Sequence, residues 1–341
     1  MNKTYILGAG SSVEFGYPLG NNIFSVAKEK AYSHQELSKS KKAQHLRISF
    51  EEVEKGLKTV FQNLPEDHYW WPNYEELYTF VERELVMPGG PRVNGINEDL
   101  RNNLRDMLFQ LIGLCGFTPL LEKSELSDIY KKFIEKIIGN IENRNIKFIN
   151  FNYDILLPYA LKELSYIPDY GFECHDMESG ELLKFSDKSV DLVVPHGALN
   201  IAECKKCKKK LFSSSPVISM IKNERAFCPI CQNSLVESHL APPNYNKYIN
   251  NNKDVKRIIS FLSNSTDICI IGYSFPSYDY YFKYLFQIAL ANNPHQPRIE
   301  IIDLGTQQQL EDKYGFFRAG SDSLSYFGDG FMNYIKLKVQ L

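Results

Sequence analysis

The sequence predicts an α/β protein: a doubly wound parallel sheet that carries a large helical insertion and a small cysteine-rich module. Three observations lead there. Five short apolar runs are continuous rather than alternating, as strands covered by helices on both faces should be. Segments of helical periodicity separate most of these runs, and strand–helix–strand succession implies a parallel sheet. Two C-x-x-C pairs 20 residues apart break the pattern once, late in the chain.

Taken in order, TYIL at residues 4–7 is the first run and ends in a glycine-rich turn. Residues 21–143 then read as helical, far longer than a single crossover. Tyr74, Leu77, Tyr78, Val81 and Leu85 fall on one helical face. After the breaker MPGGP at 87–91, Leu100, Leu104, Met107, Leu111 and Leu114 do the same. Both stripes are simplest as core, although a sheet of this size is not expected to cover them wholly. The second run is IKFINF at 146–151, followed by DLVVPHG at 191–197, DICIIG at 267–272 and RIEIID at 298–303. Helical patterns at 253–264 and 278–291 flank the last two. The expected organisation is a sheet domain from residues 1–20 and 144–341, a helical insertion at 21–143, and a cysteine module at 200–236.

Composition excludes several classes. Lys plus Arg number 39 against 41 Asp plus Glu, so the basic excess of a sequence-independent nucleic-acid binder is missing. The run Lys39, Lys41, Lys42, His45, Arg47 reads as a solvated helix face, and no direct nucleic-acid binding is expected. No window approaches the ~18 apolar residues of a membrane span. The apolar part of the opening segment is shorter than a secretion signal needs, so a cytoplasmic location is expected. Seven cysteines in that setting imply thiols or metal ligands rather than a disulfide framework.

Six constellations could carry chemistry. GAGSSVEFGYPLG at 8–20 lets backbone approach a pyrophosphate, with a following helix N-terminus aimed at the anion. Its third glycine falls at 16, outside the G-x-G-x-x-G spacing, so a plain turn explains it equally well. NFNYD at 150–154 ends a strand. Asn152 and Asp154 there could orient a reactant or stabilise positive charge, or Asp154 could simply cap the next helix. His196, just past another strand, is a candidate general base. Cys204, Cys207, Cys228 and Cys231 have the spacing of a tetrahedral four-thiolate zinc site with no open position; a redox dithiol is the competing reading. Gly272 and Ser274 in IGYSFPSYD could contact phosphate or ribose, and Asp303 could accept from a ribose diol. Cys115, Cys174 and Cys269 read as buried thiols, while His34, His45, His68 and His295 receive no role.

In this order the motifs resemble the sirtuin family: Gly8-Ala9-Gly10-Ser11-Ser12, Asn152-Tyr153-Asp154, His196-Gly197, the four cysteines, and Gly272-Tyr273-Ser274. The resemblance implies a Rossmann-like sheet that binds NAD, with a zinc ribbon. The deacylase sequence Gly-Ile-Pro-Asp-Phe-Arg is replaced by Gly16-Tyr17-Pro18-Leu19-Gly20-Asn21, and HLAPPNYNK after the cysteines lacks the deacylase Phe-Gly-Glu. The motif set looks more like the bacterial sirtuin-like effectors of antiphage defence, which hydrolyse NAD to nicotinamide and ADP-ribose. That resemblance implies Gly8–Ser12 on the pyrophosphate, Asp303 on the adenosine ribose, and Gly272 and Ser274 on the cofactor. It further implies Asn152 orienting water or ribose, Asp154 at the nicotinamide end, and His196 as base. A regulated NAD glycohydrolase is therefore expected, homo-oligomeric and controlled by assembly, by the helical insertion or by a separate partner protein. An NAD-dependent protein deacylase and a non-catalytic NAD or ADP-ribose sensor are the alternatives.

Overall fold

Seven strands in parallel form the centre of the molecule. The computed structural model describes residues 2–33, 41–62, 72–121, 125–139, 145–183, 188–213, 227–233, 236–238 and 252–340. His34, Lys39, His68 and the HLAPPNYNK segment lie outside them. The main sheet consists of β1 (Lys3–Leu7), β2 (Ile146–Asn150), β3 (Ile167–Asp169), β5 (Ser189–Val193), β9 (Asp267–Ile271), β10 (Arg298–Ile302) and β11 (Ser323–Phe327). Their spatial order is β11-β10-β9-β1-β2-β5-β3. From β1 the chain moves to β2, skips to the edge strand β3, and comes back to β5 between them. It then returns to β1's other edge as β9 and continues outward to β10 and β11, so the topological switch lies between β1 and β9. Register is in step across that seam, with Leu7 opposite Asn150 on one side and Ile271 on the other.

Alternation along β1 sends Tyr5 and Leu7 to one face and Ile6 to the other. Ile6 joins Ile149, Val193, Ile270 and Ile301 beneath α7 (Asn252–Ser263), α8 (Tyr280–Ala291) and α9 (Gln307–Tyr314). Tyr5 and Leu7 join Phe148, Leu192 and Ile271 under α5 (Glu125–Gly139), α6 (Leu156–Glu163) and α10 (Phe331–Gln340). Helices on both faces account for the continuous apolar runs.

Between β1 and β2 also lie α1 (Ile23–Tyr32), α2 (Lys41–Val60), α3 (Tyr74–Val86) and α4 (Glu98–Leu121). Helix α2 packs along α4, and α1 along α2. Both expected stripes are buried inside the chain: Tyr74, Val81, Leu104, Met107 and Leu111 are each fully enclosed. Tyr74 buries its ring and donates its hydroxyl to the Leu104 carbonyl at 2.9 Å, tying α3 to α4. The stripes are thus largely covered within the chain, Leu85 remaining half-buried. Arg47 lies on the exposed side of α2 and pairs with Glu51 at 2.8 Å, as a solvated face should.

A second, four-stranded sheet has the order β4 (Cys174–Asp176), β7 (Lys210–Phe212), β6 (Ile201–Cys204), β8 (Val236–Ser238). It carries the cysteine pairs.

Candidate functional site

The loops after β1 and β9 meet where the sheet switches direction, and their backbones interlock. Gly8 N–H donates to the Ile271 carbonyl and Gly10 N–H to the Gly272 carbonyl, each at 2.9 Å, while Gly272 N–H donates to the Ile302 carbonyl at 2.9 Å. A Cβ on Gly10 would sit 2.8 Å from the Gly272 Cα. Gly272 itself has φ +60°, and a Cβ there would collide with Gly10 and Ser11 backbone. Glycine is required at this seam because two main chains touch with nothing between them. Phe275, three residues on, holds φ +50° without being glycine. Its ring is wedged among Tyr273, Phe286 and Phe317, which fixes the strained turn.

The first turn does not feed a helix N-terminus. Two short 3-10 turns (Ala9–Ser11 and Val13–Phe15) follow Gly8, and α1 begins only at Ile23. The N–H groups of Gly10, Ser11 and Ser12 are used by Gly272, Gly8 and Ala9 carbonyls. The turn thus meets the cleft through Ala9 and Gly10 rather than through an outward row of donors.

That cleft encloses about 520 Å³, a size suited to a small-molecule ligand. Its walls bring together sequence-distant residues: Ala9 and Gly10, Phe151 after β2, His196 after β5, Gly272 to Ser274 after β9, and Asp303 after β10. Every one of these follows a strand of the parallel sheet at its carboxyl end. Asn73, Glu75 and Glu76 at the start of α3 and Gly20 and Asn21 before α1 close another side. The Asn73 side chain caps α3 by accepting from Glu75 and Glu76 N–H.

Asn152 and Asp154 lie beneath the glycine turn. Ser11 donates its hydroxyl to the Gly8 carbonyl at 2.8 Å, and Ser12 donates to Asp154 Oδ2 at 2.6 Å. Both hydroxyl oxygens then accept from Asn152 Nδ2 at 3.0 Å, which fixes the orientation of that amide. Asn152 Oδ1 is buried and has no hydrogen-bond partner among the described residues. A buried orphan acceptor is a place for a ligand hydroxyl, amide or water. Asp154 Oδ1 accepts from Leu156 N–H at 2.9 Å, so the carboxylate both holds Ser12 and caps α6. Burial raises its carboxyl above the ordinary range against the opposing effect of these two donors. It is not among the cleft-lining residues.

His196 is buried, with Nδ1 3.1 Å from the Phe151 carbonyl and Nε2 3.2 Å from Asp279 Oδ1. Tyr273 donates its hydroxyl to Asp279 Oδ2 at 2.9 Å. The Phe151 ring stacks on Tyr273 with centroids 4.1 Å apart and meets His196 edge-on. Asp303 sits at the opposite end. Its Oδ2 accepts from Lys313 Nζ and Tyr314 Oη, both at 2.6 Å, and its Oδ1 from Leu304 N–H. Ser274 is exposed at the cleft wall. Sequence reasoning missed Asp279, although IGYSFPSYD ends on it, because no strand-end position marked it. It also missed Lys313 and the α3 wall, for which the sequence carries no motif.

The four cysteines form a separate centre. Cys204 Sγ lies 3.6 Å from Cys231 Sγ, and Cys207 Sγ 3.6 Å from Cys228 Sγ; all four fall within 4.8 Å of one another. Four thiolates about 2.3 Å from one zinc stand roughly 3.8 Å apart, so the set fits a tetrahedral ion. The two knuckles repeat one geometry. Lys208 (φ +57°) donates its N–H to the Cys204 carbonyl, and Gln232 (φ +57°) donates to the Cys228 carbonyl. Cys115, Cys174 and Cys269 are buried thiols as expected, the last two pushed up to about 12 by burial.

No protein-family model matches the chain, and no curated protein matches it. Among solved structures, it is similar to a sirtuin from work on the structural basis of sirtuin substrate affinity. The TM-score is 0.45 and the identity 15%, over 99% of this chain and 92% of that one. A Sir2 complex with the inhibitor EX-527, 2'-O-acetyl-ADP-ribose and deacetylated p53 peptide gives 0.42 and 15%, over 99% and 93%. A Sir2–p53 peptide–NAD+ structure gives 0.43 and 12%, over 99% and 92%.

Proposed function

We propose that this chain is an NAD glycohydrolase of sirtuin type, cleaving NAD with water to nicotinamide and ADP-ribose. The carrying observation is the convergence at one 520 Å³ cleft of Gly10, His196, Gly272, Ser274 and Asp303, with the orphan Asn152 Oδ1 under its floor turn. In this reading Asn152 Oδ1 accepts from the attacking water or the ribose, and it is already held by Ser11 and Ser12. Loss of nicotinamide leaves an oxocarbenium-like ribosyl cation, which fixed dipoles and anions stabilise. His196 serves the proton transfer, and Asp303, aligned by Lys313 and Tyr314, takes the adenosine ribose. Asp154 supports Ser12 and hence Asn152.

The four cysteines would hold one zinc ion, whose part is to pin the second sheet; none of them lines the cleft. Among the described residues no helix is long and apolar enough to cross a membrane. Unchecked NAD consumption would be lethal to a host cell, so the activity belongs to a controlled setting such as antiphage defence. Control would act through assembly, a partner, or the α3 wall of the insertion in a cytoplasmic protein. A protein deacylase is the second reading, favoured by the four-cysteine module. Mass analysis of the product separates the two. ADP-ribose carrying oxygen from labelled water supports hydrolysis, whereas an O-acyl-ADP-ribose formed only with acylated peptide supports deacylation.

A further inference from the structure

His196 is expected to act as a base, yet both of its ring nitrogens are engaged. The Phe151 carbonyl can only accept, so the contact at 3.1 Å places a proton on Nδ1. Nε2 then faces a carboxylate oxygen of Asp279 at 3.2 Å, with both side chains buried. A neutral imidazole with its proton on Nδ1 would point the Nε2 lone pair at a carboxylate lone pair. One more proton, shared between Nε2 and Oδ1, resolves that conflict. Tyr273 decides where it resides, because its hydroxyl donates to Asp279 Oδ2 at 2.9 Å and favours the ionised carboxylate. The other groups packed on the imidazole are the rings of Phe151, Tyr153 and Phe282. Among the described residues, the titratable groups nearest the imidazole are Asp279 and the phenols of Tyr273 and Tyr153.

We propose that Asp279, braced by Tyr273, holds His196 doubly protonated, so that proton transfer at this site belongs to the His196–Asp279 couple rather than to a lone imidazole. The resting couple is an imidazolium beside a carboxylate, with no net charge. A proton taken from water or a ribose hydroxyl leaves the couple with imidazolium and carboxylic acid together, one positive charge overall. The carboxylate is thus the acceptor and His196 the group that orients it. The catalytic half of this proposal rests on the NAD-cleaving reading above; the charge state of His196 does not.

The test is a histidine ring-nitrogen NMR spectrum of the full chain, with the His196 signals assigned by loss in His196→Gln. At about pH 7.5, where a free imidazole is mostly neutral, the parent should show His196 as imidazolium. In Asp279→Asn it should become neutral, with its proton on Nδ1. A neutral His196 in the parent, or one charge state in both proteins, overturns the proposal. Kinetically, Asp279→Asn should lower kcat for nicotinamide release about 10-fold or more while moving KM less than about 3-fold. The expected spectra with unchanged kcat would overturn the couple. If the parent cleaves no NAD at all, the functional reading fails while the spectra still decide the charge state of His196. Should Asp279→Asn not fold, Tyr273→Phe removes a single O–H and carries the same measurement. His196 should then show a weaker imidazolium signature at the same pH, as the shared proton moves toward Asp279, and an unchanged spectrum would contradict the proposal.

Discussion

At the cleft, the turns after β1 and β9 are held by main chain against main chain, with glycine at each point of contact and a buried polar lattice below. The four-cysteine module is built the other way. Its strands are three or four residues long, and its buried cluster consists of Met177, Ala202, Cys204, Leu211 and Cys228, two of them ligand candidates. The cleft inherits its rigidity from a seven-stranded sheet covered on both faces and can leave an acceptor such as Asn152 Oδ1 unsatisfied. Among the described residues that core is small, so a metal held by the four cysteines would supply much of the module's order. A site that keeps polar groups open for chemistry needs a large scaffold; a site that closes on itself does not.

The largest effect should come from breaking the module. Purified protein should carry about one zinc per chain, because four thiolates complete one tetrahedral site. Zinc binding by such sites is worth about 10 kcal/mol or more at neutral pH, so Cys204→Ser should lose the metal and expose the module to protease. A soluble, fully stable but inactive Cys204→Ser protein would point to a catalytic metal instead. Gly272→Val attacks the cleft's scaffold. Its side chain would meet Gly10 and Ser11 backbone at a left-handed φ, and about 3 kcal/mol or more of stability should be lost while the zinc content of the folded fraction holds. A melting temperature equal to the parent's would show that the seam can open.

Next come His196 on the cleft wall and Asn152 beneath its glycine turn. Asn152→Ala and His196→Ala should each lower nicotinamide release about 100-fold or more, equivalent to about 3 kcal/mol of barrier. Asn152→Ala should also cost about 1 kcal/mol of stability, since Ser11 and Ser12 lose the amide that donates to them. Thermal melts alongside the kinetics separate the two effects.

The smallest effect concerns Asp154. Its carboxyl is raised in the folded protein, mainly by burial. A proton held more tightly folded than unfolded stabilises the fold fully below the unfolded value of about 3.9, and that contribution is lost as pH rises through the folded value. Melting temperature against pH should therefore be flatter over that window in Asp154→Asn than in the parent. Parallel curves would mean the folded carboxyl titrates like an exposed one.

What the sequence revealed of this comparison follows from local pattern. Continuous apolar runs marked β1, β2, β5, β9 and β10, the strands buried on both faces. The edge strands β3 and β11 lack such runs, because an edge is part-exposed: β11 reads Ser-Leu-Ser-Tyr-Phe with no residue fully buried. The cysteine spacing was enough for the module, since a knuckle is a local object. The cleft was legible only where a residue ends a strand. The contact between His196 and Asp279 spans 83 residues, and no periodicity reports it. The α3 wall depends on how an insertion folds back over the sheet, which the buried stripes do not specify. The glycine turn misled in one respect: it resembles a helix-leading anion loop, yet its N–H groups close on the turn itself and on Gly272.

The central claim is that the switch-point cleft cleaves NAD with water as acceptor, and nicotinamide release tests it most directly. The zinc-replete chain should be assayed with NAD alone and with added acetylated peptide, beside His196→Ala in both conditions. Nicotinamide release should occur without peptide, change little on adding it, and drop about 100-fold in the variant. Release that depends strictly on the acetylated peptide would contradict it and make the protein a deacylase. NAD binding with no release in either condition would contradict it in favour of a sensor.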